Sequence, residues 1–336
     1  MTPRVLDPNT RAGARDPVSR TVGEGETVGD RDYRGTAPDH RDGRSLAWRV
    51  RQPLVPSAKR ALRRYGTVTA GSRRLPDFLV IGAKRGGSTS LFRNLLQGPG
   101  FVPLFPKIED LKGTYYFDVH HTCGERWYRS HFPSATACER AERASGGRVL
   151  VGEASPYYLA HPHAASRAAA LIPSARVIAL LRDPVHRAWS HYQERVRQGI
   201  ETLPTFAEAI AAEPGRLEGE LERMEADPAY ASWNHLNFSY LAQGDYAAGL
   251  GRWLDHFPLT QICVVRSEDY YAEPAAVLNR VRGFLGLAAI EATGLVHYNR
   301  TVPPDMDPAL EAELREHFRP SVRALEDRMG RSFDWV

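Results

Sequence analysis

The segment 81–91, IGAKRGGSTSL, carries the residue types of a phosphate-binding loop at nearly the right spacing. Its first and last glycines match the G-x-x-x-x-G pattern, in which glycine lets the backbone approach a phosphate. A nucleoside triphosphatase places lysine next, but this chain has Ser88, and its cations come earlier, at Lys84 and Arg85. The loop therefore predicts an anion site that differs from that of a kinase or triphosphatase.

The end of the same segment supplies hydrogen-bond donors. Gly86 and Gly87 allow a close backbone approach and a positive φ. Ser88, Thr89 and Ser90 then open a helix, so their amides and hydroxyls are expected to face an anion at its N-terminus. The alternative on this motif alone is a tight strand-to-helix turn with an exposed basic pair.

A second stretch, LLRDPVHRAWSHYQE at 180–194, predicts another anion site. Asp183 is a natural N-cap, and proline follows it at the first helical position. Arg182 at a strand end and Ser190 on the helix offer a forked guanidinium and a hydroxyl. Two alternatives remain: magnesium bound by Asp183, or an ordinary capped helix with a surface arginine. The predicted helix face that carries the serine also holds Arg187, His191 and Glu194.

Buried strands and amphipathic helices alternate around these motifs. Apolar runs predict strands at 76–83, 148–153, 175–184 and 261–269. Helical periodicity appears at 88–97, 164–171, 184–198, 218–227, 245–257, 274–285 and 307–329, the last interrupted at Pro320. This order predicts an α/β fold, a P-loop-like parallel sheet flanked by helices on both faces. Ligands of such sheets bind beyond the carboxyl ends of the strands, where the loop falls.

Taken together, IGAKRGGSTSL and LLRDPVHRAWSHY resemble the sulfotransferase family, in particular the bacterial relatives of the heparan sulfate sulfotransferases. The likeness continues in the same order through KGTYYFD, WYRSHFP, GEASPYYL and YNRTVPPDMDP, over residues 76–336. It implies a donor, 3′-phosphoadenosine 5′-phosphosulfate (PAPS), and sulfuryl transfer to a hydroxyl or amine of a carbohydrate or other small molecule. It implies no metal ion. The alternatives are a P-loop kinase or triphosphatase, and a nucleotide-binding module without catalysis.

The resemblance also assigns roles within the loop. Gly87, Ser88 and Thr89 fall on the positions that wrap the 5′-phosphate in the family. Arg85 stands where the family usually has its catalytic lysine, and Lys84 lies one position earlier.

Outside the loop, Arg182 and Ser190 match the family's 3′-phosphate residues, and Arg300 falls in a late basic loop that closes over this phosphate. By analogy with phosphoryl transfer, positioning and charge stabilisation dominate the chemistry. The two cations of the loop and Lys112 are therefore expected to neutralise the sulfuryl oxygens and the leaving phosphate.

The proton acceptor departs from the family pattern. The relatives carry a glutamate after the lysine of a K-E-x-H-F-F stretch, where this chain has Gly113, and a lysine where it has Ala154. Glu153, at the end of a predicted strand, is the first candidate for taking the acceptor's proton. The further candidates are Glu109, Asp110 and Asp118.

The rest of the chain divides by composition. Residues 1–43 hold almost no large apolar groups and are predicted to be disordered. Residues 44–74 contain nine Lys or Arg and no acid, which indicates a solvated basic helix or contact with an anionic substrate or membrane surface. Residues 75–336 are expected to form a single domain. A net charge of +4 does not favour nucleic acid as a partner.

Cysteine usage and hydropathy bear on location. No stretch of 18 apolar residues is present, so no transmembrane segment is expected, and the start of the chain lacks an apolar signal region. Three cysteines, without C-x-x-C spacing, suit a reducing cytoplasm.

Overall fold

Five parallel strands form one sheet, in the order β2-β3-β1-β4-β5. The structure is a computed structural model that describes residues 54–296 and 306–336, so the tail 1–43 and Arg300 lie outside the described residues. The strands are β1 Phe78–Gly82, β2 Phe101–Val102, β3 Leu150–Ala154, β4 Arg176–Leu181 and β5 Ile262–Arg266. All four predicted strands are present. The edge strand β2 was not predicted, because two residues are too few to give a periodic signal.

Strand residues alternate between two apolar layers, which confirms the predicted architecture. Leu79 and Ile81 of β1 join a core layer on one face of the sheet, and Phe78 and Val80 join a layer on the other. All four side chains are fully buried. Because both faces are covered, the strands read as continuous apolar runs.

Helices cover both faces of this sheet. On the β1 face of Phe78 and Val80 lie α2 Ser88–Gln97 and α12 Pro274–Phe284. The opposite face is covered by α5 Ala164–Leu171, α6 Pro184–Arg197, α10 Tyr246–Leu254 and α13 Pro308–Met329. The remaining helices are α1 Leu54–Val68, α3 Glu125–Arg129, α4 Ala135–Ser145, α7 Phe206–Leu217, α8 Glu220–Ala226, α9 Trp233–Phe238 and α11 Ser267–Ala272.

The last helix corrects one prediction. Helix α13 continues through Pro320 without a break, so the expected interruption there is wrong. Leu314, Phe318, Val322 and Leu325 are buried on both sides of the proline. Their packing holds the helix together even though proline removes one backbone hydrogen bond.

Helix α1 is fixed to the segment of the chain that connects β2 to β3. The Nε atom of Arg63 donates to Oε2 of Glu109 at 2.9 Å. A Cβ at Gly66 would lie 2.7 Å from the carbonyl oxygen of Ser130, so only glycine allows this approach. Arg73 places its guanidinium 4.0 Å from the ring centroid of Phe105. The described part of the basic lead-in segment is therefore anchored at its C-terminal end.

Candidate active site

The Gly-rich loop joins β1 to α2 at the carboxyl edge of the sheet. A Cβ at Gly86 would lie 2.5 Å from the carbonyl oxygen of Leu180, so glycine alone permits this contact. Gly87 is the N-cap of α2 and has a φ of 94°. Arg85 also occupies the left-handed region, with a φ of 69°, which the sequence did not indicate. Two left-handed residues, separated by one position, thus shape the loop.

The loop's hydroxyl groups face different neighbours. Nζ of Lys112 donates to Oγ1 of Thr89 at 2.9 Å, which brings this distant lysine to the start of α2. Ser88, which precedes Thr89 in the sequence, is buried. Ser90 is fully buried, and its hydroxyl is a hydrogen-bond partner of Tyr271 in α11. The side chain of Ser90 therefore fixes α2 against α11.

The second motif is organised by its N-cap. Oδ1 of Asp183 accepts from the backbone N–H groups of Val185 at 2.9 Å and His186 at 3.2 Å. Its other oxygen accepts from Nη1 of Arg315 at 3.2 Å. The predicted cap is confirmed, and both carboxylate oxygens are engaged with protein donors.

Arg85 links the two motifs. Its Nε donates to Oγ of Ser190 at 2.9 Å, and its Nη1 donates to Oε1 of Glu194 at 2.9 Å. Arg182 lies close enough to Arg85 for the two charges to interact. The guanidinium of Arg85 in the loop therefore lies beside both residues predicted for the 3′-phosphate, Arg182 and Ser190.

Lys84 points to a different element from its neighbour. Its Nζ donates to the backbone carbonyl oxygen of Leu236, in α9, at 2.9 Å. The adjacent cations of the loop thus contact α6 and α9 separately, which gives each a distinct place at the site.

Positive charge dominates the electrostatics here. Burial lowers the pKa of Arg182, and the nearby Arg85 lowers it further, while Tyr271 and Glu268 oppose the shift. The pKa of His191 lies well below its usual value because the ring is fully buried and Lys84 lies nearby. Such a concentration of cations, with a neutral histidine among them, favours a multiply charged anion.

Glu153 lies inside a shell of hydrogen-bond donors and is completely buried. Oε2 accepts from the N–H of Thr114 at 2.6 Å, from its hydroxyl at 2.7 Å and from Ser155 Oγ at 3.2 Å. Oε1 accepts from the hydroxyls of Tyr128 at 2.8 Å and Tyr158 at 3.0 Å. Burial raises the pKa of this carboxyl, and the hydrogen bonds partly offset that rise.

The other acidic candidates have separate environments. Glu109 is paired with Arg63, and Oδ2 of Asp110 lies 2.7 Å from Nη2 of Arg93. Asp118 is buried, and desolvation raises its pKa to about 8. Among the described residues, its Oδ2 has no hydrogen-bond partner.

Position 113 has no room for the family's glutamate. A Cβ at Gly113 would lie 2.3 Å from the carbonyl oxygen of Ala154 and 2.5 Å from Oγ of Ser155. That serine hydroxyl also accepts from the backbone N–H of Tyr115 at 3.0 Å. The glycine is therefore required by the packing of the loop on β3.

We expect Gly113→Glu to destabilise the protein without raising sulfuryl transfer. Overpacking of this kind costs about 1–3 kcal/mol, which thermal unfolding would show as a lower midpoint. Gly147→Ala is the matched control, because no atom lies within 4 Å of a Cβ there. A Gly113→Glu variant with normal stability and faster transfer would show that the site accepts a base at this position.

Helix α11 adds residues that sequence reasoning did not single out. Oγ of Ser267 donates to the carbonyl oxygen of Gly86 at 2.6 Å. A Cβ at Gly87 would approach the Tyr271 hydroxyl to 2.8 Å, so this tyrosine packs directly on the loop. The sequence could have indicated these residues only by their position, because α11 follows β5 at the same edge of the sheet that carries the loop.

Metal-binding side chains, membrane-crossing helices and cysteines remain to be placed in the described residues. Within the described ranges, no group of three or more His, Cys, Asp or Glu side chains is placed to hold a metal ion. Over the same residues, none of the helices combines the length and apolar character needed to cross a bilayer. Cys123, Cys138 and Cys263 are free thiols.

Comparison with known proteins agrees with this geometry. The family described as sulfotransferase domain matches residues 75–298. The chain belongs to the sulfotransferase family. A solved sulfotransferase from Alicyclobacillus acidocaldarius is 30% identical, with a TM-score of 0.55, over 77% of this chain and 98% of that one. The likeness to this structure and the parallel sheet establish the P-loop-like sulfotransferase fold.

The matches to human relatives cover a smaller part of those proteins. Heparan sulfate glucosamine 3-O-sulfotransferase 3B1 is 27% identical over 79% of this chain and 66% of that protein. Bifunctional heparan sulfate N-deacetylase/N-sulfotransferase 3 is 30% identical over 67% of this chain and 23% of that protein. The chain spans just under two thirds of the first relative and about a quarter of the second.

Proposed function

We propose that this protein transfers a sulfuryl group from PAPS to a hydroxyl or amine of a carbohydrate or other small-molecule acceptor. The observation that carries the proposal is the meeting of two anion-binding motifs at Arg85, within a sulfotransferase fold. A ligand with phosphates at both ends of its ribose fits such a pair of sites. The human relatives that act on heparan sulfate support a carbohydrate acceptor.

The donor would lie along the carboxyl edge of the sheet. Gly87, Ser88 and Thr89 would hold its 5′-phosphate at the N-terminus of α2. Arg182 and Ser190 would hold the 3′-phosphate. Three more residues complete the proposed donor-binding set: Gly86, Ser90 and Arg300. Gly86 and Ser90 support the loop, and Arg300 lies outside the described residues.

In the proposed reaction an acceptor oxygen or nitrogen attacks sulfur in line with the bridging oxygen of the donor. A bond from the acceptor to sulfur forms, the bond from sulfur to the bridging oxygen breaks, and adenosine 3′,5′-bisphosphate leaves with that electron pair. Arg85, Lys84 and Lys112 would stabilise the negative charge on the departing oxygen. In this proposal the three cations would supply the positive charge of the step.

Glu153 remains our candidate for the acceptor's proton. Glu153 is fully buried, and so are Ser155 and Tyr158, whose hydroxyls donate to it; in this proposal the proton would pass to the carboxylate through one of these hydroxyls. Its raised pKa suits this role, since a base is most effective when its pKa approaches the working pH.

We expect an acidic limb in the pH profile of kcat/KM that depends on Glu153. The carboxylate must be deprotonated to accept a proton, so activity should fall as the pH drops through its raised pKa. Glu153→Gln should lose activity at every pH and show no such limb. Glu213→Gln is the control, because Glu213 is also buried with a raised pKa. If Glu153→Gln keeps the limb and only melts earlier, Glu153 is a positioning residue.

Nucleotide binding tests the donor assignment directly. Calorimetry should show tighter binding of adenosine 3′,5′-bisphosphate than of ATP with magnesium, and radiolabelled PAPS should sulfate members of a panel of hydroxylated and amino acceptors. Tighter magnesium-dependent ATP binding would favour a P-loop kinase instead. Binding of the bisphosphate with no transfer to any acceptor would favour a non-catalytic module.

Two finer assignments belong with this proposal. The free thiols of Cys123, Cys138 and Cys263 support a cytoplasmic location. The basic lead-in segment 44–74 supports weak contact with an anionic surface. No nucleic-acid partner is proposed.

The described part of that segment provides a specific test. Helix α1 carries exposed Arg60 and Arg64, and Tyr65 and Val68 are 57% and 73% exposed. We expect the full chain to sediment with phosphatidylglycerol vesicles at low salt, and Arg60→Gln with Arg64→Gln to weaken this binding, since each cation contributes about 1 kcal/mol. Arg323→Gln, which changes an exposed cation on α13, is the control. Equal binding to neutral phosphatidylcholine vesicles would contradict the electrostatic contact.

A further inference from the structure

A carboxylate lies inside the site that is built for anions. Glu194 follows Ser190 by one turn on α6, and its Oε1 accepts from Nη1 of Arg85 at 2.9 Å. The other oxygen, Oε2, accepts from Nη2 of Arg195 at 3.2 Å. The side chain of Arg85 is 9% exposed and that of Glu194 is 22% exposed, so the pair is only partly shielded.

The two arginines that hold Glu194 are not equivalent. Arg195 also donates through Nη1 to Oδ1 of Asn237 at 2.7 Å and is buried, so it is fixed between α6 and α9. Arg85 reaches Glu194 from the loop, and its Nε contacts Ser190, a residue implied in 3′-phosphate binding. Its guanidinium therefore joins a residue proposed to bind the donor to the carboxylate of Glu194.

Charge keeps the carboxylate ionised in this position. Burial favours its neutral form, but Arg85, Arg195 and Lys84 outweigh burial and hold the pKa of Glu194 below its usual value. The donor's phosphates and sulfuryl group carry several negative charges near neutral pH. An ionised carboxylate beside them must repel the donor unless a cation stays between the two.

We propose that Glu194 is an internal anion that competes with the nucleotide for Arg85, and so limits how tightly donor and product bind. The inference rests on the proposed function. When the donor enters, the guanidinium exchanges the carboxylate for donor oxygens, while Arg195 continues to neutralise Glu194. When adenosine 3′,5′-bisphosphate leaves, the carboxylate takes back Arg85, which lowers the free energy of the empty site and hastens release of the product.

Glu194→Gln tests this exchange because it preserves shape and removes the charge. Calorimetry with adenosine 3′,5′-bisphosphate should give a Kd about tenfold lower for Glu194→Gln than for the natural chain. Steady-state turnover should fall while the first turnover stays fast, since product release becomes slower. A purely structural ion pair would not give tighter binding.

A matched control separates loss of an ion pair from loss of competition. Glu201 is also a buried carboxylate, and its Oε2 accepts from Nη1 of Arg216 at 2.6 Å, outside the donor site. Glu201→Gln should lower the melting temperature and leave the Kd for the bisphosphate unchanged. Should Glu194→Gln fail to fold, Glu194→Asp retains the charge but shortens the reach to Arg85, and a Kd about threefold lower is expected.

The binding of adenosine 3′,5′-bisphosphate separates the failure of the competition from the failure of the proposed donor. Bisphosphate binding that is equal or weaker in folded Glu194 variants than in the natural chain overturns the competition and makes Glu194 a support for Arg85. If the natural chain itself does not bind the bisphosphate, the proposed donor fails, and this inference fails with it.

Discussion

Replacing Arg85 with alanine should lower turnover about 10²–10³-fold, the usual loss for one preorganised donor at a site of developing charge. Donor affinity should change far less, because the contact strengthens as the bond from sulfur to the bridging oxygen breaks. The geometry adds a second reason. In the empty site Arg85 is already bonded to Ser190 and Glu194, so part of what it gains from the donor replaces contacts that it gives up.

Arg85→Lys and Lys84→Ala show whether the role belongs to position 85. Lysine at 85 should retain much of the activity, because it keeps the positive charge and matches the lysine that the loop's resemblance to the family implies there. Arginine has a pKa above about 12, so it acts by charge and hydrogen bonding and not by giving up a proton. Lys84→Ala should be the milder change, since Nζ of Lys84 contacts the carbonyl oxygen of Leu236 on α9.

Single-turnover rates and donor affinities for the three variants decide the assignment. Normal turnover in Arg85→Ala would reject the proposed role. A large loss in Lys84→Ala, with little change in Arg85→Ala, would transfer the role to the earlier cation.

Local features of the fold were predictable because they depend on neighbours in the chain. Apolar runs in the sequence predicted the buried strands, and the proline that follows Asp183 indicated that Asp183 is an N-cap. Gly87 takes the positive φ expected of the loop's last glycine. In contrast, the continuous helix through Pro320 depends on side chains that pack against distant elements, which no local rule contains.

The site shows the same division between local and distant causes. Its motifs were visible as sequence, but the reach of Arg85 to Glu194 requires the loop and α6 to be placed in three dimensions. Likewise, Gly113 looked like a lost catalytic group. In the structure, Gly113 packs so closely on the backbone of Ala154 that a side chain would not fit. This contact depends on how distant parts of the chain pack together, which the local sequence pattern does not contain.

The second large effect concerns the 3′-phosphate. Arg182→Ala should weaken donor binding about ten- to hundredfold, because a charge-assisted hydrogen bond contributes about 1.5–3 kcal/mol. Arg182 follows β4 directly and is only partly exposed, and its backbone carbonyl oxygen accepts from the Tyr246 hydroxyl at 2.8 Å. This hydrogen bond holds the backbone of Arg182 in place and leaves the guanidinium donors out of the anchoring.

The variant should also lose selectivity between nucleotides. Adenosine 3′,5′-bisphosphate and adenosine 5′-monophosphate differ only in the 3′-phosphate, so their affinity ratio isolates that contact. Arg182→Lys should keep part of the ratio, because it retains the charge but not the forked geometry. Arg176→Ala is the control: it removes an exposed arginine from the opposite end of β4, where its guanidinium lies 5.3 Å from the Phe284 ring centroid.

The ratio measured for Arg182→Ala can then be interpreted without reference to turnover. If it collapses while Arg176→Ala keeps the natural value, the 3′-phosphate lies at the carboxyl end of β4, as the two-motif arrangement requires. If the ratio survives in Arg182→Ala, the phosphate is held elsewhere and Arg182 serves the sheet edge alone. A ratio that also survives in Ser190→Ala, whose hydroxyl is buried and contacts Arg85 at 2.9 Å, would exclude both residues of the second motif from the 3′-phosphate site.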